Sequence, residues 1–265
     1  MSESADFYSS WLGFNAFGLG SIRRIAEVPT TILPTDLSNC SIWLDANDPT
    51  TLTDNSANMV LIWNNKGLAG GSALANDGSV YDNTHTMNGL NVLNFTPYSD
   101  LLFNWTQTVN PITCFVVMKP ITDLSSAALP YINFFDALST FYNFGTSMYY
   151  DSGLASFGYG CGANNLGIYV MGYNATNPTN IPLSIAIRND ISANNFLTLN
   201  NTPTTLSYSD TANYNLSNFN YYMGSSVHGT EFDFAEFIIY ERALSDEEIA
   251  LVNAYLTAKW GIYTL

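Results

Sequence analysis

The chain has 265 residues, of which 47% are hydrophobic, 14% aromatic and only 11% charged. That excludes a disordered chain, which needs low hydrophobicity and high charge. Seven Lys+Arg against 22 Asp+Glu give a formal net charge of −15, which argues against nucleic acid, anionic membranes and sulfated polysaccharides as partners. Neutral glycans, cations and other proteins remain, and the length suits one large all-β domain with an appendage.

Residues 1–36 differ in kind from the rest of the chain. Phe7, Tyr8, Trp11, Leu12, Phe14, Phe17 and Leu19 crowd among Gly13, Gly18 and Gly20, and glycine weakens any helix there. Val28-Pro29 and Leu33-Pro34 read as extended linker. The segment is expected to be an arm that either packs along the domain or docks a partner, ahead of a domain spanning 37–265. Glu3 and Asp6 stand where a secretory signal would carry positive charge, so export by that route is not expected. No run of 18 apolar residues is present, so membrane insertion by a helix is not expected either.

From Cys40 onward short β-forming runs alternate with turn-rich loops. Strands are predicted at Ser41–Asp45, Met59–Trp63, Asn91–Phe95, Leu101–Phe103, Thr113–Lys119 and Tyr131–Phe135. Further strands are predicted at Ser139–Phe144, Gly167–Gly172, Leu183–Arg188, Asn195–Leu199, Phe219–Gly224 and Phe232–Tyr240. Thr113–Lys119 holds a continuous apolar run, as expected of a central strand covered on both faces. Asp77-Gly78 and Asn88-Gly89 are turn signals. Cys40, Cys114 and Cys161 show neither a closed disulfide framework nor metal-ligand spacing. Cys114, inside the apolar run, is predicted to be core. The sequons at Asn39, Asn94, Asn104, Asn174, Asn200 and Asn215 are expected to go unused.

The chain closes on a strongly specified unit. After Phe232–Tyr240 the apolar period changes from two to three-to-four, through Ile249, Val252, Leu256 and Trp260. Ser245 and Glu248 form a capping box, and Leu244 and Ile249 a hydrophobic staple. Lys259 suits the last turn and Gly261 the left-handed stop. This stretch, with Phe237-Ile238-Ile239-Tyr240-Glu241-Arg242 before it and Lys259-Trp260-Gly261 at its end, resembles the C-terminus of laminin-G-like domains. These belong to the concanavalin A-like lectin/glucanase class. Trp43-Leu44-Asp45-Ala46-Asn47-Asp48-Pro49, Trp63-Asn64-Asn65-Lys66-Gly67 and Gly89-Leu90 with Leu93-Asn94-Phe95 resemble the opening of the same family. The resemblance brackets the chain from Ser38 to Thr264. With the strand spacing, it implies a two-sheet antiparallel jelly-roll sandwich with a short C-terminal helix.

Three groups of residues could carry chemistry. Glu231, Asp233 and Glu236 spell E-x-D-x-x-E, which resembles the catalytic motif of the bulged branch of family 16 glycoside hydrolases. There the first Glu is the nucleophile, the last the acid/base, and the Asp assists. That chemistry needs two carboxyl groups about 5–5.5 Å apart. Strand alternation puts Glu231 and Asp233 on one face and Glu236 on the other unless a bulge intervenes. The final strand is also not where those hydrolases carry the motif. The three residues are therefore expected to be structural, with Glu231 and Glu236 on opposite faces. Asp45, Asn47, Asp48 and Asp54 offer hard oxygen ligands for calcium, although Asp48-Pro49 also suits a turn. Loop tyrosines, chiefly Tyr149, Tyr159, Tyr173 and Tyr221, could stack on sugar rings. His85 and His228 are isolated in sequence, and surface or structural roles are expected for them.

The expected function is attachment. In this reading a non-catalytic module recognises a neutral glycan at the surface of a virus or phage particle, or otherwise outside the cell. Its N-terminal arm would hold it to other virion proteins, with homo-oligomerisation open. A purely structural capsid or fibre component and a family 16-like hydrolase are the alternatives.

Overall fold

The computed structural model describes residues 32–77, 80–81, 85–97, 99–105, 111–122, 131–137, 145–151, 154–160, 168–173, 179–190, 196–203, 219–224 and 231–263. Residues 1–31, with the aromatics of the expected arm, lie outside them, as do Cys161, His228 and the strand expected at Ser139–Phe144.

Two single-turn 3-10 helices, Pro34–Asp36 and Pro49–Thr51, flank the first strand, β1 (Cys40–Asp45). Next are β2 (Leu52–Asp54), β3 (Val60–Asn64), β4 (Ser72–Asp77), β5 (Val80–Tyr81), β6 (Thr86–Met87) and β7 (Leu90–Asn91). Then come β8 (Leu93–Phe95), β9 (Asp100–Trp105), β10 (Ile112–Pro120), β11 (Tyr131–Ala137), β12 (Gly145–Asp151) and β13 (Leu154–Gly160). The chain ends with β14 (Ile168–Tyr173), β15 (Leu183–Asn189), β16 (Phe196–Leu199), β17 (Thr202–Pro203), β18 (Phe219–Gly224), β19 (Phe232–Tyr240) and the helix α1 (Asp246–Trp260). Among the described residues α1 is too short and polar to cross a membrane.

The strands form two large antiparallel sheets. The first runs β17-β16-β15-β10-β19-β8-β5, with β1 sharing an edge of β19 with β8. The second runs β14-β13-β12-β11-β18-β9-β4-β3-β2. Their facing side chains make one apolar core: Ile42, Phe95, Val116 and Phe234 from the first sheet meet Val60, Trp63, Phe103 and Met223 from the second. Cys114 lies in this core, as its apolar surroundings predicted.

A second core lies on the other face of the first sheet, where α1 packs over Trp43, Phe115, Val117, Ile238 and Tyr240. Central strands β10 and β19 are therefore covered on both sides, which is why they are apolar almost throughout. The helix is built as its sequence predicts. Ser245 Oγ accepts from Glu248 N at 3.3 Å, while Ser245 N donates to Glu248 Oε2 at 2.9 Å. Leu244, Ile249, Val252, Leu256 and Trp260 are all buried, and Gly261 closes the helix at φ 65°. The Asn88-Gly89 turn joins β6 to β7 with φ 51° and 74°, and Asn88 Nδ2 donates to the helix-end carbonyl of Lys259 at 2.9 Å.

Residues Ile32 and Leu37 pack on the helix-side core, and Tyr240 Oη donates to the Pro34 carbonyl at 2.9 Å. The last residues of the expected arm, from Ile32 on, are thus part of the folded body. Asn94 and Asn200, two of the sequon asparagines, are buried at 4% and 1% exposure.

Candidate functional site on the closing strand

β19 does not alternate regularly. Val117 pairs with Glu236, but the next residue, Met118, pairs with Phe234, so Ala235 is an extra residue in the ladder. The bulge keeps Phe232, Phe234, Phe237 and Ile239 in the inter-sheet core. It also turns Asp233 and Glu236 to the same outer face, because a bulge shifts the phase of the alternation by one. The expectation that Glu231 and Glu236 lie on opposite faces is therefore wrong. Glu231 shares a hydrogen-bond donor with Asp233, so all three carboxylates belong to one face.

They do not form one site. Glu236 is 1% exposed and lies beneath α1, where both oxygens are taken. Trp43 Nε1 donates to Oε1 at 2.7 Å and Tyr255 Oη at 2.8 Å. Trp260 Nε1 donates to Oε2 at 2.6 Å and Lys259 Nζ at 2.9 Å. Burial raises its pKa above the ordinary carboxylate value, with the Lys259 charge opposing. The same environment drives the Tyr255 hydroxyl upward, and burial with the nearby Glu236 charge pushes the Cys40 thiol up to about 12. A carboxylate so enclosed meets no glycan. It anchors the helix to the sheet.

Glu231 and Asp233 sit at the other end of the face, beyond the helix. Asn94 Nδ2 donates to Glu231 Oε1 and to Asp233 Oδ1, each at 3.1 Å. Lys119 Nζ pairs with Asp233 Oδ2 at 2.7 Å, and His85 Nδ1 contacts Asp233 Oδ1. Asn94 Nδ2 also lies 3.1 Å from His85 Nδ1. Nε2 of this partly exposed ring has no partner among the described residues. The Asp–His contact joins residues 148 apart in sequence, and no local spacing announces it.

The acidic loop that offers calcium-type ligands holds an ammonium. Lys66 Nζ lies 2.7 Å from Asp48 Oδ2, 3.3 Å from Asp45 Oδ2 and 3.9 Å from the Trp43 ring centroid. The hydrogen bond from Lys66 keeps the Asp48 carboxyl below its usual range. Asp45 Oδ1 takes Lys259 Nζ at 2.7 Å, and Asn47 Oδ1 accepts from Asn91 N at 3.1 Å. Asp54 lies exposed on β2. No group of three metal-ligating side chains occurs among the described residues.

The same contacts explain the Trp63-Asn64-Asn65-Lys66-Gly67 motif. Asn65 Oδ1 accepts from Trp43 N at 2.8 Å and its Nδ2 donates to Ser41 O at 2.9 Å, so the loop completes the edge of β1. A Cβ on Gly67 would lie 2.4 Å from the Ser41 carbonyl oxygen, so only glycine fits this approach. Tyr149, Tyr159, Tyr173 and Tyr221 are on strands β12, β13, β14 and β18 rather than in loops, opposite Ser156, Thr146, Ala155 and Phe103 respectively. Their side chains lie outside the described residues.

The sequence matches no protein-family model and no curated protein. Among solved structures the fold is similar to the binding domain of Paraclostridial Mosquitocidal Protein 1, with TM-score 0.60 and 12% identity over 83% of this chain and 52% of that one. It is similar to the receptor binding domain of botulinum neurotoxin D, with TM-score 0.55 and 13% identity over 81% and 52%. A botulinum neurotoxin serotype D ligand binding domain in complex with N-acetylneuraminic acid gives TM-score 0.55 and 14% identity over 81% and 50%. The chain thus spans about half the length of these solved domains, and at such identities the likeness is one of fold.

Proposed function

We propose that this chain is a non-catalytic recognition module of the laminin-G-like, concanavalin A-like class, with jelly-roll connectivity, that binds a neutral glycan and serves attachment. It is displayed on a virion surface or otherwise outside the cell, and the N-terminal segment ahead of Ile32 joins it to other proteins of that assembly. The observation that carries the reading is the fold likeness, over more than four-fifths of the chain, to domains described as receptor or ligand binding, one of them holding a sugar acid. Supporting it, Glu236 is enclosed by four donors and cannot act on a substrate. A net charge of −15 favours uncharged over acidic sugars. The full chain applied to an array of neutral, sialylated and sulfated oligosaccharides is expected to retain neutral glycans. Retention of acidic glycans alone, or of none, contradicts the reading.

A further inference from the structure

We propose that Lys259 and Asp45 are a self-modifying pair that condenses into an intramolecular amide, with Glu236 relaying the protons. Lys259 Nζ lies 2.7 Å from Asp45 Oδ1 and 2.9 Å from Glu236 Oε2. One ammonium is thus shared by two carboxylates, and the side chains of Lys259, Asp45 and Glu236 are 15%, 8% and 0% exposed. The reaction concerns this chain alone and holds whatever glycan or other partner the module binds.

The surroundings differ from those of a surface ion pair. Lys259 Nζ lies 4.9 Å from the Trp260 ring centroid and 5.4 Å from that of Tyr255. Trp43, Tyr255 and Trp260 hold the two oxygens of Glu236. Burial among these rings keeps water out and makes Glu236 readier to take up a proton than an ordinary carboxylate. Asp45 has electrophilic support of its own. Asn47 N donates to its Oδ1 at 3.2 Å, and Lys66 Nζ lies 3.3 Å from its Oδ2. Donors on these oxygens stabilise the charge that develops when the carboxyl carbon is attacked. A nucleophile already held against its electrophile also avoids the entropy cost of bringing the two together.

The step balances within the triad. Glu236 takes a proton from Lys259 Nζ and passes it to Asp45 Oδ1, leaving an amine against a carboxylic acid. The amine lone pair attacks Asp45 Cγ, the N–C bond forms, and negative charge gathers on Oδ2 beside Lys66. Glu236 then moves a second proton from Nζ to Oδ1, the C–Oδ1 bond breaks, and Oδ1 leaves as water. Glu236 ends as it began, and no co-reactant is consumed. An amide and a water replace an ammonium and a carboxylate, so two poorly solvated charges disappear. Asp45 ends β1 and Lys259 lies in the last turn of α1, so the bond ties the start of the folded body to its end. Closing so long a loop restricts the unfolded chain strongly.

The test is the intact mass of the purified full chain under denaturing conditions, followed by a tryptic digest. The wild type should be one molecule of water lighter than its sequence. Its digest should contain residues 25–66 joined to residues 243–265, because an acylated Lys259 resists trypsin. Lys259→Arg keeps the positive charge and should show the full mass with no joined peptide. Glu236→Gln should lower the linked fraction steeply, since removing a general acid–base group costs about 10²–10⁴-fold in rate. A wild type at full mass after prolonged incubation at neutral pH overturns the proposal. So does a loss of water that persists in Lys259→Arg or maps to other residues.

Discussion

The two ends of the outer face of β19 carry carboxylates three residues apart and treat them in opposite ways. Glu236 is sealed by α1, and its four donors come from β1 and the helix. Asp233 is equally buried, but its partners His85 and Lys119 are 34% and 18% exposed and reach solvent themselves. The strand is the same and the face is the same. What differs is the cover, and the cover decides whether a carboxylate is a structural anchor or the floor of an open polar surface.

The strongest way to break this contrast is to remove the anchor. Glu236→Ala leaves the Lys259 ammonium and two indole N–H groups facing a void, and should cost about 3–5 kcal/mol in chemical denaturation. Trp260→Ala, which strips the fully buried ring from above Glu236, should cost a similar 3–5 kcal/mol or so, and a negligible loss would mean that α1 is not docked. Asp233→Ala should cost only about 1–2 kcal/mol, because Lys119 and His85 regain water. A loss equal to that of Glu236→Ala would erase the distinction between the two ends. Ser245→Ala removes the helix cap and should cost about 1 kcal/mol.

The smallest effect sharpens the contrast by sign. Burial raises the Glu236 pKa, so the folded chain takes up that proton first, and this group alone favours folding as pH falls. Arg242 lowers the Glu248 pKa through a bidentate pair at 2.6 and 2.7 Å. Its contribution is fully present above the ordinary glutamate value and is lost as pH falls from there through the lowered value of the folded chain. Glu248→Gln keeps the capping geometry and should lie about 0.5–1 kcal/mol below wild type at neutral pH. The gap should close as pH falls below the ordinary glutamate range. A gap that widens in acid contradicts this assignment.

Much of the closing unit was legible in the sequence, because its determinants are local. The capping box, the staple, the apolar face of α1 and the Asn88-Gly89 turn each need only residues within one turn of one another. The double-covered strand β10 was legible from its unbroken apolar run. The bulge was written in β19 too: Phe232, Phe234, Phe237 and Ile239 fall out of step between 234 and 237, and regular alternation cannot place all four inside. β4 and β13 were missed because Ser-Ala-Leu-Ala-Asn-Asp and Leu-Ala-Ser-Phe-Gly-Tyr-Gly are poor in β-branched residues. Lys66 pairing with Asp45 and Asp48, and His85 meeting Asp233, were not legible. Each depends on a long-range juxtaposition that only the sheet register creates.

Recognition without turnover is tested by following binding and hydrolysis in one experiment. The full chain is incubated with a panel of neutral oligosaccharides that includes mixed-linkage and β-1,3-glucans. Each sugar is then tracked by mass spectrometry, both for the fraction bound and for any change in its mass. A neutral glycan should be retained and recovered intact, with no new reducing ends. Cleavage of a glucan that disappears in Glu231→Gln would contradict it and make the protein an enzyme.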